Sequence, residues 1–239
     1  MIPKIIHYCW FGHGEMPEEA RRCIASWHQF MPDYEYKLWD EDGFNVSENI
    51  YTKEAYEARK YAFVSDYVRL WALEREGGIY LDTDVEVFKS FDDLLGYKSF
   101  AGLEGSKHLP IGTCVMASVA HGEWVSEQLK AYENRHFLKP DGTFDLTTNV
   151  QFISVNMREH GFIQNGKAQD YKDLHVFPVE YFSPRNTLGE YIQTEHTYSN
   201  HLGLGSWGED AKGWKTRLLK WLGPQNATRL IKLKRKLFG

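Results

Sequence analysis

The chain has 239 residues, 42% hydrophobic and 15% aromatic, with a net charge of −5. That length fits one large domain, or one domain with an appendage, and the balance of apolar and charged residues excludes a disordered chain. No apolar run approaches the ~20 residues of a spanning helix, and the three cysteines (Cys9, Cys23 and Cys114) lack metal-type spacing and read as thiols in a reducing cytosol.

Ile2 to Trp10 is β-branched and aromatic and reads as a buried first strand that begins the chain directly, with no signal peptide. Pro17-Glu18-Glu19 opens a helix to about Phe30, with proline in the first turn and acids at the positive end of the dipole. Tyr34 to Trp39 alternates as a second strand. Thr52 to Glu76 is helical with a break near Tyr61, and Gly77 caps it. Ile79–Leu81 and Val85–Phe88 follow as strands, Phe91–Leu95 as one helical turn, and Ser99–Leu103 and Thr113–Ser118 as two more strands. Helices are predicted over Glu123–Phe137 and Thr147–His160, the latter capped by Thr147 or Thr148, and a strand over Leu174–Val179. Glu190–Gly208 reads as loop. The alternation of strands and helices predicts an α/β layer fold with a mixed central sheet flanked by helices.

The stretch that concentrates chemistry is Gly77-Gly78-Ile79-Tyr80-Leu81-Asp82-Thr83-Asp84. Asp82 and Asp84 lie two apart, where a strand frays into a turn, and can grip one hard divalent cation. Asp66 and Arg69 on the preceding helix are three apart and share a face. They are either a helix-surface pair or, because Phe63, Val64, Val68 and Leu70 crowd around them, a buried pair whose arginine needs an anion such as a diphosphate.

These blocks, together with Ile2-Pro3-Lys4-Ile5-Ile6-His7-Tyr8-Cys9-Trp10, resemble the sugar-binding region containing the Asp-x-Asp motif of glycosyltransferase family 32. That family includes bacterial capsule and lipopolysaccharide transferases and fungal Golgi mannosyltransferases, and is more remotely similar to the glucosyltransferase domain of large clostridial toxins. The resemblance covers residues 1–88 and implies a GT-A (Rossmann-like) nucleotide-sugar-binding fold, a nucleotide-sugar donor, Mn²⁺ or Mg²⁺, and retention of anomeric configuration. It implies that Trp10 stacks on the nucleobase, Asp66 meets donor hydroxyls, and Arg69 reaches the sugar or diphosphate. It further implies that Tyr80 lines the ribose, Asp82 contacts ribose or metal, and Asp84 ligates the metal. A Trp face at a strand end is a base platform worth ~1–3 kcal/mol; the alternative is a core Trp.

In the late loop, His196, His201, Ser206 and Trp207 resemble the family's closing segment. There His201 completes the metal shell, and Ser206 and Trp207 form a lid whose indole donates to the leaving phosphate; the alternative is a surface loop. Asn149, Gln151, Glu104 and His108 are the candidates for holding the acceptor. The domain is expected over 1–210, with a basic amphipathic tail over 211–239.

Lys212–Gly239 carries nine Lys/Arg and no acid, which leaves −14 on residues 1–211. Trp214 and Trp221, seven apart among lysines, read as a segment for an anionic membrane surface, against the alternative of a helix packed on the domain. The acidic body argues against nucleic acid as a partner. The expected protein is a cytoplasmic hexosyltransferase, peripheral on the inner face of a bacterial membrane, using a UDP-hexose in preference to GDP-mannose and a lipid-linked glycan acceptor in capsule or lipopolysaccharide synthesis. A haloacid-dehalogenase-type phosphotransferase with Asp82 as nucleophile, and a non-catalytic nucleotide-sugar-binding module, are the alternatives.

Overall fold

A central sheet is assembled from both ends of the chain. The structure, a computed structural model, describes residues 1–105, 109–185 and 189–204. Its strands are β1 (Ile5–Cys9), β2 (Glu35–Trp39), β3 (Gly78–Leu81), β4 (Val85–Val87), β5 (Ser99–Leu103), β6 (Ile111–Ser118), β7 (Gln169–Tyr171), β8 (Leu174–Phe177) and β9 (Ser199–His201). The helices are α1 (Glu18–Phe30), α2 (Ile50–Glu57), α3 (Tyr61–Glu76), α4 (Glu123–Lys130) and α5 (Asn149–Glu159), with a 3₁₀ turn at Asp92–Leu94. Seven strands form one mixed sheet in the order β2-β1-β3-β6-β5-β8-β7, and β4 pairs with β9 in a second, two-stranded sheet. β1 is parallel to β2 and β3, β5 is parallel to β8, and the other pairs are antiparallel.

Strand alternation divides the core in two. Ile6, Ile79, Leu81, Val115 and Ala117 pack with Trp27 of α1, whereas Cys9, Tyr80 and Met116 pack with Val64, Val68 and Leu73 of α3. α1 starts at Pro17 and carries Glu18 and Glu19 in its first turn. The break near Tyr61 is real and separates α2 from α3. Gly77 and Gly78 have φ of 68° and 111°. A Cβ on Gly78 would lie 2.7 Å from the Ile5 oxygen and 2.9 Å from His7 Nε2, so only glycine lets β3 close against β1.

Three expectations are corrected. The helix expected over Glu123–Phe137 ends at Lys130, after which the N–H groups of Tyr132, Glu133 and Arg135 turn to the oxygens three residues back, and those of Phe137 and Leu138 go to the Glu54 carboxylate at 2.8 and 2.9 Å. The stretch read as loop from Glu190 contains β9, and β7 was not foreseen. Both are three-residue strands, too short to show a period. Among the described residues, no helix is long and apolar enough to cross a membrane. Residues 211–239, Ser206, Trp207 and His108 lie outside the described residues.

Candidate active site

The Asp-x-Asp turn leaves the sheet at the end of β3, which lies between the parallel β1 and the antiparallel β6. Asp82 N–H still pairs with the Cys114 oxygen at 2.9 Å, and the chain then turns, Val85 N–H bonding back to the Asp82 oxygen at 3.0 Å. β4 is pinned to α1 by Trp27 Nε1–H on the Val85 oxygen at 2.6 Å and by Val87 N–H on Ser26 Oγ at 2.9 Å. β9 lies antiparallel to β4 with His201 opposite Val85, and Leu202 N–H reaches the Asp84 oxygen at 3.0 Å. This pairing delivers a histidine from late in the chain to the carboxylates of the turn.

Ligand atoms of Asp82, Asp84 and His201 lie within 4.8 Å of one another. His201 Nε2 is 3.3 Å from Asp84 Oδ1, and its Nδ1 is 2.6 Å from Glu104 Oε1. Burial works to lower the imidazole, but Cys114, Asp84 and Glu104 outweigh it and hold it well above the ordinary histidine value. One imidazole facing two carboxylates marks a place where positive charge is wanted. Two carboxylates and an imidazole fit a divalent ion such as Mn²⁺ better than Mg²⁺.

Behind the turn lies a buried charge network. Arg69, 2% exposed, sets its guanidinium 3.0 Å from Asp66 Oδ1 and 3.2 Å from Asp82 Oδ1. It also donates to the Thr113 oxygen at 2.6 Å and lies over the Tyr80 ring at 4.5 Å. The helix-surface alternative for Asp66 and Arg69 is therefore discarded: both are buried in the protein. Asp66 Oδ2 receives the N–H of Asn149 at 2.9 Å, so a residue of α3 sits at the positive end of α5. Burial pushes the Asp66 carboxyl up to about 7, with Arg69 opposing, and raises Asp82 in the same way. One guanidinium thus faces two carboxylates.

Tyr80 is buried, and its hydroxyl donates to Asp82 Oδ1 at 3.0 Å. In this conformation Asp66 and Tyr80 stand behind Arg69 and Asp82 as braces, closed to solvent. Asn149 likewise turns its side chain to the Asp66 oxygen, at 3.0 Å, instead of to open space. Trp10 follows β1, belongs to neither core cluster, and donates Nε1–H to the Gly14 oxygen at 2.6 Å. The core alternative for Trp10 is discarded. His196 stacks on Tyr181 at 5.7 Å and is not among the residues gathered around Asp82 and Asp84. Sequence reasoning placed Glu104 only among acceptor candidates and gave Cys114 no role beside the site; both reach His201 through β5 and β6, a long-range pairing without a local signal.

A mixed sheet with an Asp-x-Asp turn at the end of its third strand, backed by a buried Asp–Arg pair, is a GT-A-type fold. PaToxG glycosyltransferase has this fold, with a TM-score of 0.50 at 17% identity over 67% of this chain and 70% of its own. Residues 17–101 match the family described as the glycosyltransferase sugar-binding region containing the DXD motif. Mannosyl phosphorylinositol ceramide synthase SUR1 of Saccharomyces cerevisiae is 27% identical over 67% of this chain and 43% of its own length. Inositol phosphoceramide mannosyltransferase 3 of Schizosaccharomyces pombe is 36% identical over 41% of this chain and 29% of its own. The chain spans less than half the length of these curated relatives. In this setting the phosphotransferase alternative lapses. Both Asp82 oxygens lie within reach of the Arg69 guanidinium and one accepts from Tyr80, which leaves a poor nucleophile.

Proposed function

We propose that the chain is a metal-dependent, retaining glycosyltransferase that moves a hexose from a nucleotide-diphosphate sugar to a glycan or lipid-linked acceptor. The observation that carries this reading is the convergence of Asp82, Asp84 and His201 within 4.8 Å beside the buried Arg69. Asp84 and His201 would hold the ion, with Asp82 closing the set. A divalent cation there supplies charge neutralisation for a departing diphosphate. The residues of the chain do the rest: the Trp10 face receives the base, Arg69 offers the diphosphate fixed positive charge, and Asp66 and Tyr80 keep Arg69 and Asp82 in place. Ser206 and Trp207 are proposed as the closing segment.

The names of the fungal relatives support a mannose donor ahead of a UDP-hexose and support an acceptor carried on a lipid. A lipid-linked acceptor accords with the basic tail, which we place on an anionic membrane surface at the cytoplasmic face. Surface-polysaccharide synthesis is the process we assign to it. Calorimetric titration of UDP, GDP and their hexose conjugates, with and without Mn²⁺, tests the reading. Metal-stimulated binding of one nucleotide and turnover of its sugar conjugate are expected. A chain that binds none of them, with or without Mn²⁺, would contradict it.

A further inference from the structure

We propose that Glu104 is a positioning residue which fixes the tautomer and direction of the His201 imidazole, so that Nε2 is presented to the cation; this rests on reading Asp82, Asp84 and His201 as a cation site. The two ring nitrogens of a histidine are distinct, and the partner of one decides what the other can do. His201 Nδ1 lies 2.6 Å from Glu104 Oε1, while Nε2 lies 3.3 Å from Asp84 Oδ1. A carboxylate can only accept, so Nδ1–H is held by Glu104, and Nε2, facing Asp84, is the nitrogen at which a cation shared with Asp84 would take the place of the hydrogen.

Glu104 is itself held. It follows β5 directly, and its N–H donates to the Pro110 oxygen at 2.9 Å. Across the hairpin stands Gly112, where an added Cβ would lie 3.0 Å from the Glu104 Cβ and 3.2 Å from Oε2. The absence of a side chain at 112 is what lets the Glu104 side chain lie there. On the other side, Arg185 Nη2–H donates to the His201 backbone oxygen at 3.1 Å and Val85 pairs with His201, so the backbone at 201 is fixed as well. With both backbones set, the Glu104 carboxylate makes the shortest contact to the ring, 2.6 Å against 3.3 Å for Asp84, and opposes its turning over. Its carboxylate is about one-fifth exposed and committed to His201, which is the wrong disposition for gripping an acceptor hydroxyl.

The test is a titration of the full chain with Mn²⁺ alone, reading free ion by electron paramagnetic resonance, so that no turnover is involved. Glu104→Ala should weaken Mn²⁺ binding by about 10–100-fold. Glu104→Gln, whose amide oxygen still accepts from Nδ1–H, should return binding to within about threefold of the unaltered chain. Glu104→Ala combined with His201→Ala should bind no worse than His201→Ala alone, because Glu104 acts through the ring. Unchanged binding in Glu104→Ala, a glutamine variant as weak as the alanine one, or additive losses in the double variant would each overturn the positioning role. An unaltered chain that binds no Mn²⁺ would instead overturn the cation site, and this inference with it.

Discussion

Replacing Asp66 with Asn should make the fold more stable at alkaline than at acidic pH, relative to the unaltered chain, while destroying donor use. Asp66 is fully buried and shares the Arg69 guanidinium, 3.0 Å away, with Asp82 at 3.2 Å from the same group. With both carboxylates ionised this buried trio carries a net negative charge. Burial therefore pushes the Asp66 carboxyl from 3.8 up to about 7, although Arg69 opposes it. An unfolded carboxyl loses its proton near pH ~3.9. The folded state thus holds a proton that the unfolded state has released across the interval between these values. Its contribution to stability is complete below pH ~4 and disappears as pH rises through ~7. At ~1.4 kcal/mol for each pH unit between the two values, the ceiling is about 4 kcal/mol. Asn carries no such proton, and its oxygen can still accept the Asn149 N–H. Urea unfolding of both proteins from about pH 5 to about pH 8.5 measures the difference. The gap between them should move in favour of Asp66→Asn by about 3 kcal/mol across that range, about two of the roughly three pH units between the two values. Asp82 shares the same guanidinium, so loss of the Asp66 charge eases its ionisation and adds to the gap in the same direction. Parallel stability curves would refute the claim that Asp66 is a strained, functionally retained charge.

Trp10→Ala should weaken nucleotide binding by ~1–3 kcal/mol and leave the urea midpoint nearly unchanged, because the ring belongs to neither core cluster; equal nucleotide quenching of tryptophan fluorescence in both proteins would remove the base platform. The full chain should co-sediment with anionic vesicles at low salt, at about 1 kcal/mol for each Lys or Arg near the surface, and be released as the Debye length falls below ~8 Å. A chain ending near Gly208 should remain in the supernatant and still bind donor, and equal recovery of the two forms would leave the tail without a membrane role.

The sequence carried the parts of the fold that have local periods. The break between α2 and α3, the Thr148 cap of α5, and the strands flanking Asp82 follow from apolar spacing, glycine and capping residues. The Asp-x-Asp turn and the Asp66–Arg69 face were equally legible, because both depend on neighbours two or three positions apart. What pairs across the chain was not. Nothing in Ser199-Asn200-His201 announces a strand, since its order depends on β4, which must already be pinned to Trp27 and Ser26. The Glu104–His201 contact and the Asp66–Asn149 bond are set by sheet order and by helix docking, and neither leaves a pattern in the residues around it. α4 stops short for a related reason: beyond Lys130 the chain runs in three-residue turns to where Glu54 on α2 takes the N–H groups of Phe137 and Leu138, a contact distant in sequence.

The central claim is that Asp84, held opposite His201 Nε2 at 3.3 Å, ligates a divalent ion on which nucleotide binding depends. It is tested most directly by titrating the preferred nucleoside diphosphate into the unaltered chain, Asp82→Asn and Asp84→Asn, each with Mn²⁺ and with chelator, while circular dichroism confirms the fold. Mn²⁺ should strengthen binding to the unaltered chain, strengthen it less in Asp82→Asn, and have no effect on Asp84→Asn, whose affinity should equal that of the unaltered chain in chelator. Undiminished Mn²⁺ stimulation in Asp84→Asn would contradict the account.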